Sequence, residues 1–322
     1  MGVTASRPGC LAWVHTTYPG WLATVDGHSG EIVLPIRAFT EVLAGSGLDE
    51  SAASATHRFY GGRMKTAVVL PTYNERENLV SLVSQILALG IEAEVVVVDD
   101  NSPDGTGQVA DEMAACDRRV HVIHRSGKLG LGTAYIAGFK RTLAEGAERV
   151  VTMDADFSHH PRYIPALVAL TERYHVGIGS RYVPGGGVSQ DWGVRRRFLS
   201  SGANLFARTV LGLRAYDCTA GFRCYRREVL QSIDLDRIFS NGYSFLIEMM
   251  YRCQRLGYAF GETPILFENR QQGSSKISQW EIGKAMLTVL RLGISRLLFW
   301  RPAERYGKRA TTPESNFESI TG

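Results

Sequence analysis

The sequence predicts an α/β fold, a mostly parallel sheet with helices on both faces. Three observations predict it. Apolar runs of strand length alternate with stretches of helical periodicity from Met64 onward, the pattern of βα repeats. Two of those runs stop abruptly in acid: 94–98 runs into Asp99-Asp100, and 150–153 runs into Asp154-Ala155-Asp156. A glycine-rich loop, 127–132, opens a helix between them. Right-handed crossovers in such a sheet bring the strand C-termini to one edge, where ligands bind. The acidic ends and the glycine loop are therefore expected to converge.

The elements follow in order. A strand at 67–70 leads through Pro71 to a helix over about 75–89, ended by Gly90. Residues 94–98 are continuously apolar and β-branched, as expected of a parallel strand buried on both faces. After the loop 101–105 come a helix to about Ala115, a strand at 120–123 and a helix to about Ala144. The strand 149–153 delivers the Asp-x-Asp. Pro161 marks the first turn of a helix to about Tyr174. A strand at 176–179 closes the regular half. Helices are expected at 198–211, 245–256 and 282–300, with a strand and polar turn at 264–272. The last helix has the charge spacing of an amphipathic surface helix, not of a span.

Residues 1–63 differ in composition and read as a poorly structured extension, with 45–62 a linker. Met64 is expected to be the functional start, or 1–63 to be dispensable. The catalytic domain is then 64–300, and 301–322 a polar tail.

At 322 residues, 44% hydrophobic and 21% charged, the chain is long enough to bury a sizeable core. The net charge of +4, with a pI of about 8.8, is too mild to imply nucleic acid. It suits anionic small substrates or an anionic membrane surface. Five cysteines without a CxxC indicate neither a zinc ribbon nor a disulfide framework. A reducing cytosol is the simpler setting. No apolar run reaches the roughly 18 residues of a membrane span, and the N-terminus lacks a signal-peptide layout.

The chemistry centres on 150–156. In extended chain Asp154 and Asp156 point the same way. Two carboxylates that close repel unless a cation lies between them, and Mg2+ or Mn2+, shared with a substrate phosphate, is the natural choice. Tyr73 offers a ring to a nucleobase. Glu75 and the Asp99-Asp100 pair offer acceptors to ribose or base donors. The glycine loop misses the dinucleotide fingerprint, because Tyr135 stands where its last glycine belongs, and it misses the P-loop spacing too. A dinucleotide-dependent oxidoreductase fails on that point. His159-His160 lacks the spacing of a helical ligand pair, so positioning or helix capping is expected of it. Arg181, Arg195-Arg196-Arg197, Arg223, Arg270 and Lys276 supply cations suited to phosphate. The stretch 271–275 reads as a lid over a diphosphate.

Taken together, PTYNERENL, VVVDDNSPDGT, GLGTAYIAGF, DADFSHHP, GSRY, the W-x-x-x-R of Trp192 and Arg196, DCTAGFRCYRREVL, and Arg270 with GSSK resemble the dolichyl-phosphate mannosyltransferases and the bacterial polyprenol monophosphomannose synthases. The resemblance spans about 64–300. It implies a GT-A-type, Rossmann-like sheet and an inverting glycosyltransferase of family 2. That enzyme would carry mannose from GDP-mannose to a polyprenyl phosphate acceptor. It implies that Pro71, Tyr73, Glu75, Val98 and Asp100 hold the guanosine. Asp154, Ala155 and Asp156 would bind the diphosphate, with Asp154 and Asp156 on the metal. Arg181, Arg196, Arg270 and Lys276 would take the phosphates, and Asp217 and Arg223 would line the sugar site. Asp156, Arg196, Arg270 and Lys276 carry the catalytic roles in that reading. The chain resembles the short members attached peripherally at the cytoplasmic face of a membrane, through its surface or a membrane-protein partner. Two alternatives remain: a polyprenyl-phosphate glucosyl- or other hexosyltransferase of the same fold, and a nucleotide-sugar-binding protein without turnover.

Overall fold

The computed structural model describes residues 65–189, 192–268 and 279–298. It adds three short strands, Val3–Thr4, Thr24–Val25 and Glu31–Val33, in a small antiparallel sheet. The expectations for the rest of 1–63, for 271–275 and for 301–322 fall outside the described residues.

The regular half follows the βα alternation. It comprises β1 (Thr66–Thr72), α1 (Arg76–Leu87), β2 (Ala93–Asp99), α2 (Thr106–Cys116), β3 (Val120–His124), α3 (Leu131–Ala144), β4 (Arg149–Thr152), α4 (Ile164–Leu170) and β5 (Val176–Ser180). A 3-10 turn, Pro161–Tyr163, precedes α4, so the helix expected from Pro161 to Tyr174 is split and shorter. The second half contains β6 (Gly187–Val188), α5 (Val194–Leu211), β7 (Arg223–Arg226), α6 (Arg227–Ser232), α7 (Tyr243–Arg255), β8 (Phe260–Pro264), β9 (Leu266–Phe267) and α8 (Gln279–Leu298).

The main sheet has seven strands in the order β8-β5-β7-β4-β1-β2-β3. Six run parallel. β7 runs against both neighbours, with Arg223 opposite Thr152 on one side and Ile178 on the other. A four-residue strand with two arginines carries no strand signal of its own; pairing on both sides defines it. Because it is reversed, its first residue, not its last, reaches the edge where the parallel strands end.

The side-chain alternation of β2 divides the core. Val95 and Val97 pack with Leu79, Leu82 and Met113 of α1 and α2 on one face. Val96 and Val98 pack with Ala134, Tyr135 and Phe139 of α3 and with α7 on the other. All four valines are fully buried, each gaining roughly 1.5–3 kcal/mol over exposure. Gly138 lets α3 lie close on β1; a methyl there would run into Val69 Cγ1. Cys218, Cys224 and Cys253 are free and buried, and burial pushes each thiol up to about 12, which keeps them inert. Cys116, however, is disulfide-bonded, a departure from the cysteine reading.

Candidate active site

The acidic pair lies where β4 leaves the sheet. Thr152, its last residue, donates its hydroxyl to the Gly221 carbonyl at 2.7 Å and so ties the strand to the approach of β7. Met153 and Ala155 turn into the core. The Asp154 side chain remains 30% exposed, whereas Asp156 is 3% exposed. Ser158 donates twice to Asp156 Oδ1, from its backbone N–H at 3.0 Å and its hydroxyl at 2.5 Å. This tight turn holds Phe157 at φ +60°, a left-handed conformation that costs a bulky residue, with the ring anchored in the core.

The two histidines have separate tasks. The Asp154 N–H donates to His159 Nδ1 at 3.2 Å, so the ring proton resides on Nε2. The imidazole is buried against Phe222 at 5.1 Å and Phe267 at 5.3 Å. Burial holds it below its ordinary pKa, against the opposing pull of Asp154 and Asp156, and it is neutral at pH 7. His160 Nδ1 accepts from the Arg162 N–H at 3.2 Å and caps the 3-10 turn. Positioning and capping both occur.

The expected nucleoside edge is formed by the turns after β1 and β2, which are laced together. Asn74 N–H donates to Ser102 Oγ, Glu75 N–H to Thr106 Oγ1, and Arg76 N–H to Asp104 Oδ2. Asp99 is consumed structurally, accepting from Thr72 and twice from Ser102. Asp100 pairs with Arg125 at 2.7 Å and accepts from the Leu129 and Gly130 N–H groups. Burial raises its carboxyl, and Arg125 offsets this only in part. Asp100 is thus the anchor of the glycine loop. On the other side Asn241, more than a hundred residues away, accepts from the Gly132 N–H and donates to the Leu129 carbonyl. Gly130 adopts φ +102°, and a Cβ there would meet Asn241. Tyr73 is half-buried and carries Lys128 Nζ 4.2 Å over its ring. Pro71 and Glu75 are also half-buried at this edge, with Glu75 accepting from Asn78. The Val98 side chain belongs to the core, and the Ala155 side chain is buried as well.

The basic residues divide sharply. Arg181 is 10% exposed and forms a forked pair with fully buried Asp217, Nε and Nη2 each at 2.8 Å. Burial, the largest single influence, would raise the Asp217 carboxyl; the Arg181 guanidinium and N–H with the Thr219 hydroxyl together hold the group below its ordinary value. Arg223 is fully buried, donating to the Cys218 and Leu246 carbonyls and to Tyr225. Asp217 and Arg223 are both fully buried, their charges met by Arg181 and by backbone carbonyls. Arg196 is exposed, its guanidinium stacked 3.8 Å over Trp192, which continues through Phe267 to His159. Arg270 and Lys276 fall outside the described residues. Sequence reasoning passed over Arg125, Asn241 and Tyr135, whose hydroxyl lies 3.5 Å from Asp154 Oδ1. Tyr135 alone had a local signal, as the residue that breaks the glycine fingerprint. Glu94, His121 and Glu145 also cluster, but toward the starts of β2 and β3 and with Lys65 already 3.0 Å from Glu94.

Acid at a strand end beside a glycine loop is a layout shared by several families, so comparison with known proteins decides. The glycosyl transferase family 2 model matches residues 67–234, from β1 past β7. This chain belongs to glycosyltransferase family 2. It is 46% identical over 252 residues to polyprenol monophosphomannose synthase of Mycolicibacterium smegmatis, covering 78% of this chain and 92% of that protein. It is 45% identical over 232 residues to undecaprenyl-phosphate mannosyltransferase of Micrococcus luteus, covering 72% and 95%. In fold, this family 2 enzyme is similar to Mycobacterium tuberculosis glucosyl-3-phosphoglycerate synthase in complex with Mn2+, UDP-glucose and phosphoglyceric acid. That match has a TM-score of 0.54 at 22% identity, over 77% of this chain and 84% of that one. The GT-A-like sheet expected from the sequence is the one observed.

Proposed function

We propose that this glycosyltransferase moves mannose from GDP-mannose to a polyprenyl phosphate, with inversion, giving a β-mannosyl phosphate lipid and GDP. The observation that carries the reading is the Asp154/Asp156 pair at the end of β4, in a chain so similar along its length to two polyprenyl-phosphate mannosyltransferases. Asp154 and Asp156, with the Ser158 hydroxyl bonded to the latter, present hard oxygen donors only, a set that suits Mg2+ or Mn2+ and not a soft metal. Such a cation supplies charge neutralisation for the leaving diphosphate.

The rest of the chemistry falls to side chains. An acceptor phosphate oxygen is already anionic and attacks the sugar without a strong general base. Attack opposite the leaving group inverts the anomeric carbon. Stacking on Trp192 fixes the plane of the Arg196 guanidinium, whose forked N–H groups match a phosphate. Arg270 and Lys276 are assigned to the phosphates on sequence alone. Pro71, Tyr73 and Glu75 are assigned to the nucleoside, with Asp100 acting through the loop it anchors.

The test is transfer of label from GDP-mannose to a short polyprenyl phosphate, with Mn2+ and with EDTA. Metal-dependent labelled lipid is the expected result. Product from UDP-glucose but not GDP-mannose would move the proposal to the hexosyltransferase alternative. Bound donor without product from any sugar nucleotide would favour a binding protein.

The acceptor is a lipid, and no helix among the described residues is long and apolar enough to cross a membrane. The proposal also includes peripheral attachment at the cytoplasmic face. Its support is the outer surface of α5 and α8, which pack together and leave Val194 84% and Phe198 79% exposed, with Leu205, Leu287 and Ile294 also open. The run Arg195-Arg196-Arg197 lies beside Val194 and Phe198, the combination that seats a helix in an anionic interface. Co-sedimentation with phosphatidylglycerol vesicles should fall at least about tenfold in Phe198→Asp/Leu287→Asp, since each buried side chain of this size is worth roughly 1.5–3 kcal/mol. Unchanged co-sedimentation would shift attachment to a protein partner.

A further inference from the structure

Tyr135 occupies the position that spoils the dinucleotide fingerprint, and its ring is fully buried on α3. It stacks against Phe139, at 6.1 Å and 19°, and against Phe245, at 5.9 Å and 14°. Full burial against two rings restricts its torsions. A residue that only filled this space would be phenylalanine, because a buried hydroxyl without a partner costs about 1–3 kcal/mol. The hydroxyl points to Asp154 Oδ1 at 3.5 Å, the long end of hydrogen-bonding range. From the other side His159, clamped between Phe222 and Phe267, accepts from the Asp154 N–H. Tyr135 thus meets the Asp154 side chain and His159 its backbone, and both of these residues are buried.

We infer that Tyr135 is a positioning residue that fixes the rotation of the Asp154 carboxylate for the divalent cation. This rests on the reading of Asp154 as a metal ligand. A carboxylate held in one rotation loses less freedom on ligating a metal, and such outer partners are typically worth 10- to 100-fold in metal affinity. The sequence position follows from the fold. α3 begins at the glycine loop and packs on β1, β2 and β4, which brings a long side chain at Tyr135 to Asp154.

The experiment titrates GDP into the full chain by calorimetry, once with Mn2+ and once with EDTA. The ratio of the two affinities measures how far the cation couples to the site. Tyr135→Phe keeps the ring and removes the donor. Its ratio should fall about tenfold or more, in line with the range for outer partners of a metal ligand, with the EDTA affinity unchanged. Phe139→Leu loosens the same stack without touching Asp154. It should lower the unfolding temperature and keep the wild-type ratio. A wild-type ratio in Tyr135→Phe overturns this inference alone, and an equal fall in Phe139→Leu overturns its assignment to the hydroxyl. Wild-type protein that binds GDP equally in both buffers overturns the metal reading and this inference with it.

Discussion

Asp156→Ala should lower mannosyl transfer by about a thousandfold or more at saturating Mn2+, while the protein still folds. Removing one preorganised group that stabilises developing charge commonly costs two to three orders of magnitude, and a cation held by two protein carboxylates is lost more completely when one goes. Asp156 also accepts two hydrogen bonds from Ser158 and supports the left-handed Phe157, so a modest loss of stability accompanies the loss of rate. Asp156→Asn separates the two effects. It retains an oxygen for Ser158 and discards the charge, so it should recover the unfolding temperature and remain inactive. The checks are initial rates on purified protein and thermal melts. Turnover retained by Asp156→Ala at saturating Mn2+ would remove this residue from the mechanism.

Asp217→Ala acts on stability. The forked pair with Arg181 is almost wholly removed from water, and deleting the acid strands a buried guanidinium. Breaking such a pair costs about 3–5 kcal/mol, which at this size lowers the unfolding temperature by roughly 10 °C. Deleting both members should cost less than deleting Asp217 alone, because no uncompensated charge remains. The pH dependence has a defined sign. The folded Asp217 carboxyl lies below its unfolded value of about 4, so its stabilisation is complete above that value and lost as pH falls through the folded one. The wild type should lose stability steeply on that acid limb, and Asp217→Ala should lose less of it. An unchanged melt in the single variant would show that the pair contributes nothing.

The chemistry of the site was legible where one residue type at one strand end has a single physical use. Val150 to Met153 demanded a buried strand, and the acids after it demanded an edge. What escaped was whatever depends on partners far away in sequence. Asp100 reads as an acceptor for a ribose hydroxyl or a base N–H; its pairing with Arg125 and the loop amides has no local sign. Arg181 and Arg223 read as phosphate cations; that one pairs with a buried acid and the other donates to carbonyls is not legible in the sequence. Charge is visible in a sequence; whether it faces water or a counter-charge is decided by tertiary packing. Asn241 had no local signal, because its role exists only once α7 is laid beside the glycine loop.

The reversed strand β7 has a bearing on how the molecule is made. β4 and β5 emerge from the ribosome well before the residues that lie between them, and neither can hydrogen-bond the other in the finished order. Until Arg223–Arg226 arrives, the nascent chain carries one bare margin on β4 and two on β5, whose other neighbour β8 comes later still, and open strand margins recruit other chains. Joining β5 to the rest of the sheet and tying the end of β4 are then one event, since the strand that closes the gap also brings Gly221 against Thr152 beside the acids.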